Sequence, residues 1–521
     1  METWVGATIS VWITIAVCLV VGAWRVVDWI WLRPKKLENY LRNQGFAGNS
    51  YQILHGDLKY RSAANDRANS KPMNFSNHIA PRVVPSVHQT IQIYGKNSFM
   101  WIGPIPRVHI MEAEQVKTAY MLINDIQKPS INPLVKLLAD GLVNHEGAKW
   151  VKHRKIINPA FHLEKLKDMV PAFSHSCNEM VDKWERMVSN EGLCELDVMP
   201  YLQSMTADII SRTAFGSSYE KGKRIFELQK ELGVLAIKST LRIYIPGSRF
   251  LPTKSNTKMK RMDKEIKGLI LGIINERQKA MEAGEAIHND LLGILMESNL
   301  NEIRQHGNNK DVGMSIEDVI EECKLFYLAG QETTATLLIW TMILLSSHSE
   351  WQERARAEVL QVFGNREPDF DGLSRLKVVT MILNEVLRLY PPVGMVSRLV
   401  QKETRFGQLT LPAGVMLGLP TILIQHDREL WGEDAQEFKP QRFSEGVSKA
   451  TKNNQTAFIP FGWGPRICIG QNFAMIEAKT ALAIILQRFS FELSSSYTHA
   501  PTSSITIQPQ HGAHVVLHKL E

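Results

Sequence analysis

The stretch Phe461-Gly462-Trp463-Gly464-Pro465-Arg466-Ile467-Cys468-Ile469-Gly470 decides how the rest of this 521-residue chain is read. A cysteine sits in a glycine-rich loop with an aromatic before it, and apolar residues at roughly helical spacing follow at once (Ile469, Phe473, Ala474, Ile476, Ala478). Gly464 and Gly470 permit backbone angles closed to other residues, so the loop can fold over the sulfur and aim N–H groups at it. Those dipoles, with Arg466, are expected to lower the thiol pKa. A cysteine serving only as a small buried hydrophobe needs none of this. A thiolate bound to haem iron does, because it pushes electron density onto the metal and favours O–O cleavage.

The pattern FxxGxRxCxG resembles the signature loop of the cytochrome P-450 superfamily of haem-thiolate monooxygenases. The resemblance implies haem b (iron protoporphyrin IX) with Cys468 as axial ligand and Phe461 and Arg466 beside it. It also implies the cytochrome P-450 fold, mainly α with a smaller β-rich lobe. Upstream, Ser315-Ile316-Glu317-Asp318 reads as a capping box for a helix running to about Ser347, which contains Ala329-Gly330-Gln331-Glu332-Thr333-Thr334. Small residues at Ala329 and Gly330 leave room for a flat cofactor, and Glu332 and Thr333 are a carboxylate and a hydroxyl able to relay protons. An ordinary polar patch on a helix carries the same residue types. The likeness of AGxETT to the family's oxygen-activating motif implies catalytic roles for Thr333 and Glu332.

Further motifs follow in the family's order. Trp150 and Arg154 are four apart and share a helix face. In the family this WxxxR pair contacts a haem propionate, which suits a guanidinium forking onto a carboxylate. Lys149, Lys152 and Lys155 form either a solvated face or a docking surface for an acidic electron donor. Glu385 and Arg388, three apart, would ordinarily be a weak surface pair. As the family's ExxR motif, with Arg442 from Phe438-Lys439-Pro440-Gln441-Arg442-Phe443, they are implied to form a buried network that locks the ligand loop. Arg398 is a second propionate candidate. His426 is either a propionate neighbour or a satisfied core histidine.

The remaining sequence is consistent with this reading. From Trp4 to Trp24 no residue is charged, and at 1.5 Å per residue the stretch would span roughly 30 Å, one hydrocarbon core. Arg25, Arg33, Lys35, Lys36 and Arg42 follow it, against Glu2 before it, so the positive-inside rule places the rest of the chain in the cytosol. The expected organisation is a membrane anchor over 1–24, a basic, partly helical collar over 25–50 with Pro34 alone in place of a proline-rich hinge, and a cytosolic catalytic domain over 51–521. Thr90–Tyr94 and Ser98–Ile102 read as strands, 163–298 as successive helices broken by a loop at 244–252, and 299–311 as a polar surface loop. A helix from about Gln471 to Gln487 leads to a strand at Phe489–Leu493 and a closing hairpin over 505–512. Five irregularly spaced cysteines make no disulfide framework. The sequons at Asn74 and Asn454 are expected to stay unmodified. A net charge of +7 suits an anionic membrane surface or an acidic partner, and with no nucleic-acid module present, nucleic acid is not expected.

The motifs Leu41-Arg42-Asn43-Gln44-Gly45-Phe46, His145-Glu146-Gly147-Ala148-Lys149-Trp150 and Asn158-Pro159-Ala160-Phe161-His162 look like the plant microsomal group that includes secologanin synthase. Members of that group oxidise terpenoids: iridoids, triterpenoid sapogenins and gibberellin-type diterpenes. The implied activity is O2-dependent monooxygenation in the endoplasmic reticulum membrane, with NADPH electrons delivered by a cytochrome reductase. Two alternatives are a haem-thiolate isomerase or dehydratase that takes a ready-made peroxide, for which Thr333 would be dispensable, and a non-catalytic haem protein.

Overall fold

The largely apolar run from Ala335 to Leu345 forms the second half of one long helix, Ile316–Ser347. A computed structural model describes residues 2–130, 132–188, 192–283, 290–452 and 456–520. Asn454 and the side chain of Trp4 lie outside that description, whereas Asn74 is described and exposed. The long helix starts where expected: Asp318 N–H donates to Ser315 Oγ, and Ser315 N–H returns to Asp318 Oδ2, both at 3.1 Å. From Thr334 to Leu345 every side chain is buried, as in a helix apolar on all faces and enclosed by others. Helices Met199–Phe215, Tyr219–Thr240, Lys254–Glu282, Lys377–Leu389 and Gln471–Arg488 surround it. Its one fully buried lysine, Lys324, is matched by Asp263 at 2.5 Å and Glu321 at 3.1 Å.

The β-rich part is a six-stranded mixed sheet in the order Ala47–Gly48, Ser98–Ile102, Ile105–His109, Met416–Leu419, Val396–Val400, Ile126–Gln127. A three-stranded sheet joins Leu193–Asp197 to the C-terminal strand His514–Lys519, which also pairs with Phe489–Leu493. The closing hairpin pairs Pro501–Ser503 with Ile507–Pro509.

Three local expectations fail: the helices of 163–298 are interrupted by the strand Leu193–Asp197, which the C-terminal strand holds by pairing, and two segments differ from their reading. Thr90–Tyr94 is the end of a helix, Pro85–Tyr94, not a strand. Pro85 supplies a helix-compatible φ at the first turn, Gly95 stops the helix at φ +83°, and the buried residues Ser86, Val87 and Thr90 recur at helical spacing. The polar segment 299–311 is helical as far as Gln305, because the buried residues Leu291–Met296 anchor a helix that its polar second half continues.

The N-terminal helix, Glu2–Val27, exposes its apolar side chains from Ile9 to Val27. It passes through a wider turn at Asp28–Leu32 into the collar helix Arg33–Asn43. Pro34 sits in the first turn, where its missing N–H breaks no bond. The collar packs on the sheet lobe through buried Leu37 and Leu41, and Tyr51 Oη donates to the Ile30 carbonyl at 2.7 Å.

Candidate functional site

The cysteine loop is closed by its own backbone. Cys468 N–H donates to the Phe461 carbonyl at 2.9 Å, and Ile467 N–H to Gly464 at 3.1 Å. The positive φ values fall at Gly462 (+74°) and Gly464 (+68°). Gly470, expected to need such freedom, has φ −88° and caps the helix Gln471–Arg488. Burial pushes the Cys468 thiol above its ordinary pKa, and the Gly470 N–H and Arg154 offset this only in part. The cation that acts on the sulfur is thus Arg154, whose Nη1 donates to the Ile467 carbonyl at 3.0 Å. Arg466, assigned that role from sequence, is instead engaged with the turn at His145 and Glu146 that opens the helix Gly147–Ile157: its Nη1 donates to the His145 carbonyl at 2.8 Å, it pairs with Glu146, and its guanidinium lies 4.5 Å above the Trp150 ring. The loop alone does not ionise the thiol; a coordinated metal ion would.

Cys468 and Ile467 keep exposed surface, as does Ala329 in the middle of the central helix, flanked by the half-buried Leu328 and Gly330. Phe161 links the two elements. Its ring lies 5.9 Å from that of Phe326 on the central helix, and 3.9 Å from where a Gly470 side chain would begin. The accessible residues therefore line an internal slot between helix and loop.

Near the loop cations outnumber carboxylates: Arg398, Arg466 and the half-buried Lys128, whose Nζ donates to the Val143 carbonyl, have Glu146 as their shared anion. Arg398 is buried, with its guanidinium 5.6 Å from the Tyr120 ring. Burial, then repulsion from Arg398 and Arg466, pulls Lys128 down to about 7, with Glu146 opposing. Glu146 is the carboxylate shared by Arg466 and the Lys128 backbone N–H, the latter at 2.9 Å. Uncompensated buried charge is costly. The buried Tyr120 hydroxyl and Trp463 Nε1 also have no partner. A flat group with two carboxylates, as haem b has, fits this donor set. Lys128 was not identified from sequence, because a lone lysine in Ile126-Gln127-Lys128-Pro129 matches no motif.

Two residues assigned to the cofactor face elsewhere. The missing Cβ of Gly330 points at Ile210 of helix Met199–Phe215: a methyl there would lie 2.7 Å from Ile210 Cδ1. Helix packing accounts for this glycine, and Ala329 presents the open face. His426 is a core histidine, its Nε2 3.0 Å from the Leu389 carbonyl and burial lowering its pKa to about 3. It borders a cleft with His78 and His88 rather than the cysteine loop.

Thr333 Oγ1 donates to the Ala329 carbonyl at 2.7 Å, leaving its acceptor side free. Glu332 is held from the closing hairpin, accepting from Thr506 Oγ1 at 2.9 Å and Gln508 Nε2 at 2.7 Å. Burial raises its pKa, and the Thr506 hydroxyl partly offsets that. Thr506 and Gln508 were legible only as part of a hairpin whose tip could reach a substrate. Beneath the loop, Arg388 forks onto Glu385 with two bonds of 2.7 Å, and both residues are fully buried. Glu385 also accepts the Lys439 N–H at 2.8 Å and lies 3.5 Å from Arg442 Nε. Arg442 pairs in turn with Asp434 at 2.8 Å. Burial opposes the charge on Asp434, but hydrogen bonds from Arg442 and Lys439 outweigh it and bring the carboxyl to about 2.

Comparison with known proteins places this geometry. A family model described as cytochrome P450 matches residues 80–515. Cytochrome P450 72A397 of Kalopanax septemlobus is 60% identical over 498 residues, 96% of this chain and 95% of its own. Cytochrome P450 72A15 of Arabidopsis thaliana is 57% identical over 512 residues, 98% and 99% of the two chains. Among solved structures, the retinoic acid-bound cyanobacterial CYP120A1 superposes with a TM-score of 0.74 at 22% identity, covering 91% of this chain and 98% of that one, a likeness of fold.

Proposed function

The chain belongs to the cytochrome P450 family of monooxygenases, whose haem iron activates O2 with electrons from a redox partner, and from that premise we propose that it oxidises a terpenoid at the endoplasmic reticulum membrane. In this reading residues 1–24 anchor the protein, 25–50 form the collar, and 51–521 face the cytosol and take NADPH electrons through a cytochrome reductase. The observation that carries it is the internal slot, with Cys468 and Ile467 at the loop and Ala329 and Thr333 on the central helix.

Bound in that slot, haem b supplies reductive activation of O2 and insertion of one oxygen atom into a C–H bond. The residues of the chain set where and how that happens. Cys468 would hold the iron through its sulfur, and Arg154 and the Gly470 N–H temper charge there. Arg398, Arg466 and Lys128 neutralise the acidic edge of the group, with Trp150 supporting Arg466. Thr333 accepts and passes a proton at Oγ1. Glu332, biased towards its protonated form by burial, is the reservoir, and Thr506 and Gln508 fix its orientation. No side chain need act as a base on the substrate, so selectivity follows from which carbon is held over the site.

A terpenoid suits the apolar roof. Ile505 at the hairpin tip wedges against Gly233 of helix Tyr219–Thr240, and Ile507 comes within 3.0 Å of the Cβ position of Gly394. The loop over 244–252 exposes Ile245, Phe250 and Leu251, a second apolar surface besides the N-terminal helix for contact with a membrane that dissolves such substrates. The test is product mass from membranes holding this protein and a plant reductase, given NADPH and a panel of triterpenoids, iridoids and gibberellin precursors. A product one oxygen heavier is expected. No product from any of them, in preparations with an intact haem-thiolate spectrum, rejects the terpenoid assignment.

A further inference from the structure

Away from the slot, where the helix Gly147–Ile157 meets the first turns of the central helix, His145, His153 and Asp318 converge. One ligand-type atom from each lies within 4.8 Å of the other two. His153 is fully buried and His145 is 7% exposed, and the Nε2 atoms of both have no hydrogen-bond partner. The imidazoles meet edge to face with centroids 4.4 Å apart. His153 Nε2 stands 3.7 Å from Asp318 Oδ1.

The surroundings orient these atoms. His153 Nδ1 lies 2.6 Å from Glu322 Oε1, so its proton is held on that side and the lone pair of Nε2 faces Asp318. Glu322 is itself fixed, its Oε2 accepting the Leu142 N–H at 2.9 Å. A carboxylate behind a ligating histidine is the usual support of a metal-bound imidazole. Asp318 uses Oδ2 for the helix cap, leaving Oδ1 to face the histidines. His145 Nε2 stands 3.8 Å from Glu322 Oε1, so two imidazoles and two carboxylates are crowded into one buried space, and the His153 Nε2 lone pair and Asp318 Oδ1 repel one another unless a cation lies between them. At present Lys149 Nζ, 2.7 Å from Asp318 Oδ1, supplies one from the outer side, on a side chain that is half exposed and free to swing away.

We propose that His145, His153 through Nε2 and Asp318 through Oδ1 form a binding site for a divalent transition-metal ion of the Zn2+ type, with water in the fourth position. Nitrogen and carboxylate donors without thiolate suit such an ion. Ligands at 2.0–2.1 Å in a tetrahedron lie about 3.3 Å apart, so the 3.7 Å pair needs a closure of only about 0.4 Å. The ion would staple the turn at His145 and the helix carrying Trp150 and Arg154 to the helix carrying Glu332 and Thr333. It would act through structure, not as part of the oxygen chemistry.

The test uses the full-length haem-loaded protein, washed with chelator and titrated with Zn2+, reading bound zinc per chain and the thermal midpoint. The parent is expected to take up one zinc per chain and to melt at a higher temperature with zinc than without. Glu322→Gln, which keeps all three ligands, should weaken binding by about 10- to 100-fold. Lys149→Met removes the competing cation from an exposed position and should tighten binding, a change of opposite sign that loss of folding cannot imitate. His153→Gln should abolish the high-affinity zinc. If the parent takes up no zinc, or if its zinc is unchanged in Lys149→Met and His153→Gln, the proposal is overturned, and His153 simply packs between Asp318 and Glu322.

Discussion

Thr333 has its hydroxyl proton committed to the Ala329 carbonyl and its lone pairs open to the slot, which makes it a test of the proton path. Thr333→Ala should keep its haem and continue to consume NADPH, while product formation falls by about 10²-fold and peroxide is released. Product per NADPH equal to that of the parent would remove Thr333 from the relay. Glu477 is a different kind of buried acid. No hydrogen bond of normal geometry reaches either of its oxygens, and burial raises its pKa well above the usual 4.5, with the nearby Thr334 hydroxyl opposing. The folded protein therefore keeps a proton that the unfolded chain gives up. Stability from this group is full below the unfolded carboxylate range and is lost as pH rises through the folded value. Glu477→Gln carries no such titration, so parent and variant should diverge as pH rises above the unfolded carboxylate range, with the parent losing more of its thermal midpoint. Parallel curves would show that the carboxyl is already ionised.

At the scale of elements, the fork between Arg388 and Glu385 is a buried ion pair within one helix that reaches two other segments, one through the Gln425 carbonyl and one through those of Ala435 and Glu437. Removing one partner leaves the other charge unpaired inside the protein, which costs about 3–5 kcal/mol. Arg388→Ala should thus give unstable protein with little haem, and a full haem complement in the variant would show that the network does not support the loop. Packing of the central helix on Met199–Phe215 rests on Gly330 opposite Ile210. Gly330→Ala should cost about 1–3 kcal/mol through overpacking. Ile210→Val should recover part of that in the double variant, although alone it costs about 0.5–1.5 kcal/mol. Additive losses in a denaturant-unfolding cycle would mean that the two residues do not share the space.

For the whole molecule, the collar belongs to the folded domain while the helix before it does not pack on it. Leu37 and Leu41 are buried against the sheet lobe, Arg42 lies 5.5 Å from the Phe99 ring, and Tyr51 reaches back to Ile30. A chain beginning at Asp28 should therefore retain haem and thermal stability while binding membranes less. One beginning at Gly45 forfeits the burial of both leucines, about 1.5–3 kcal/mol each. Equal melting of the two truncations would show that the collar is a passive tether.

Much of this protein is local in origin and was legible in the chain. The capping box at Ser315 and Asp318, the apolar helix behind it, the cysteine loop and the helix after it are each set by residues within a few positions of one another. The N-terminal apolar run is equally local, since length and lack of charge are read directly. Tertiary structure decided what depends on residues far apart in sequence. Thr90–Tyr94 alternates like a strand, but the bounds at Pro85 and Gly95 and a buried helical face made it a helix. Arg466 and Arg154 both stand near the cysteine, and only the fold turned one towards Glu146 and the other towards the sulfur. Lys128, Thr506 and Gln508 belong to no motif and entered the site because a strand edge and a hairpin tip brought them there. A short-range pattern fixes backbone conformation through sterics and hydrogen bonds close at hand, whereas the charge and burial of a side chain are set by neighbours hundreds of residues away.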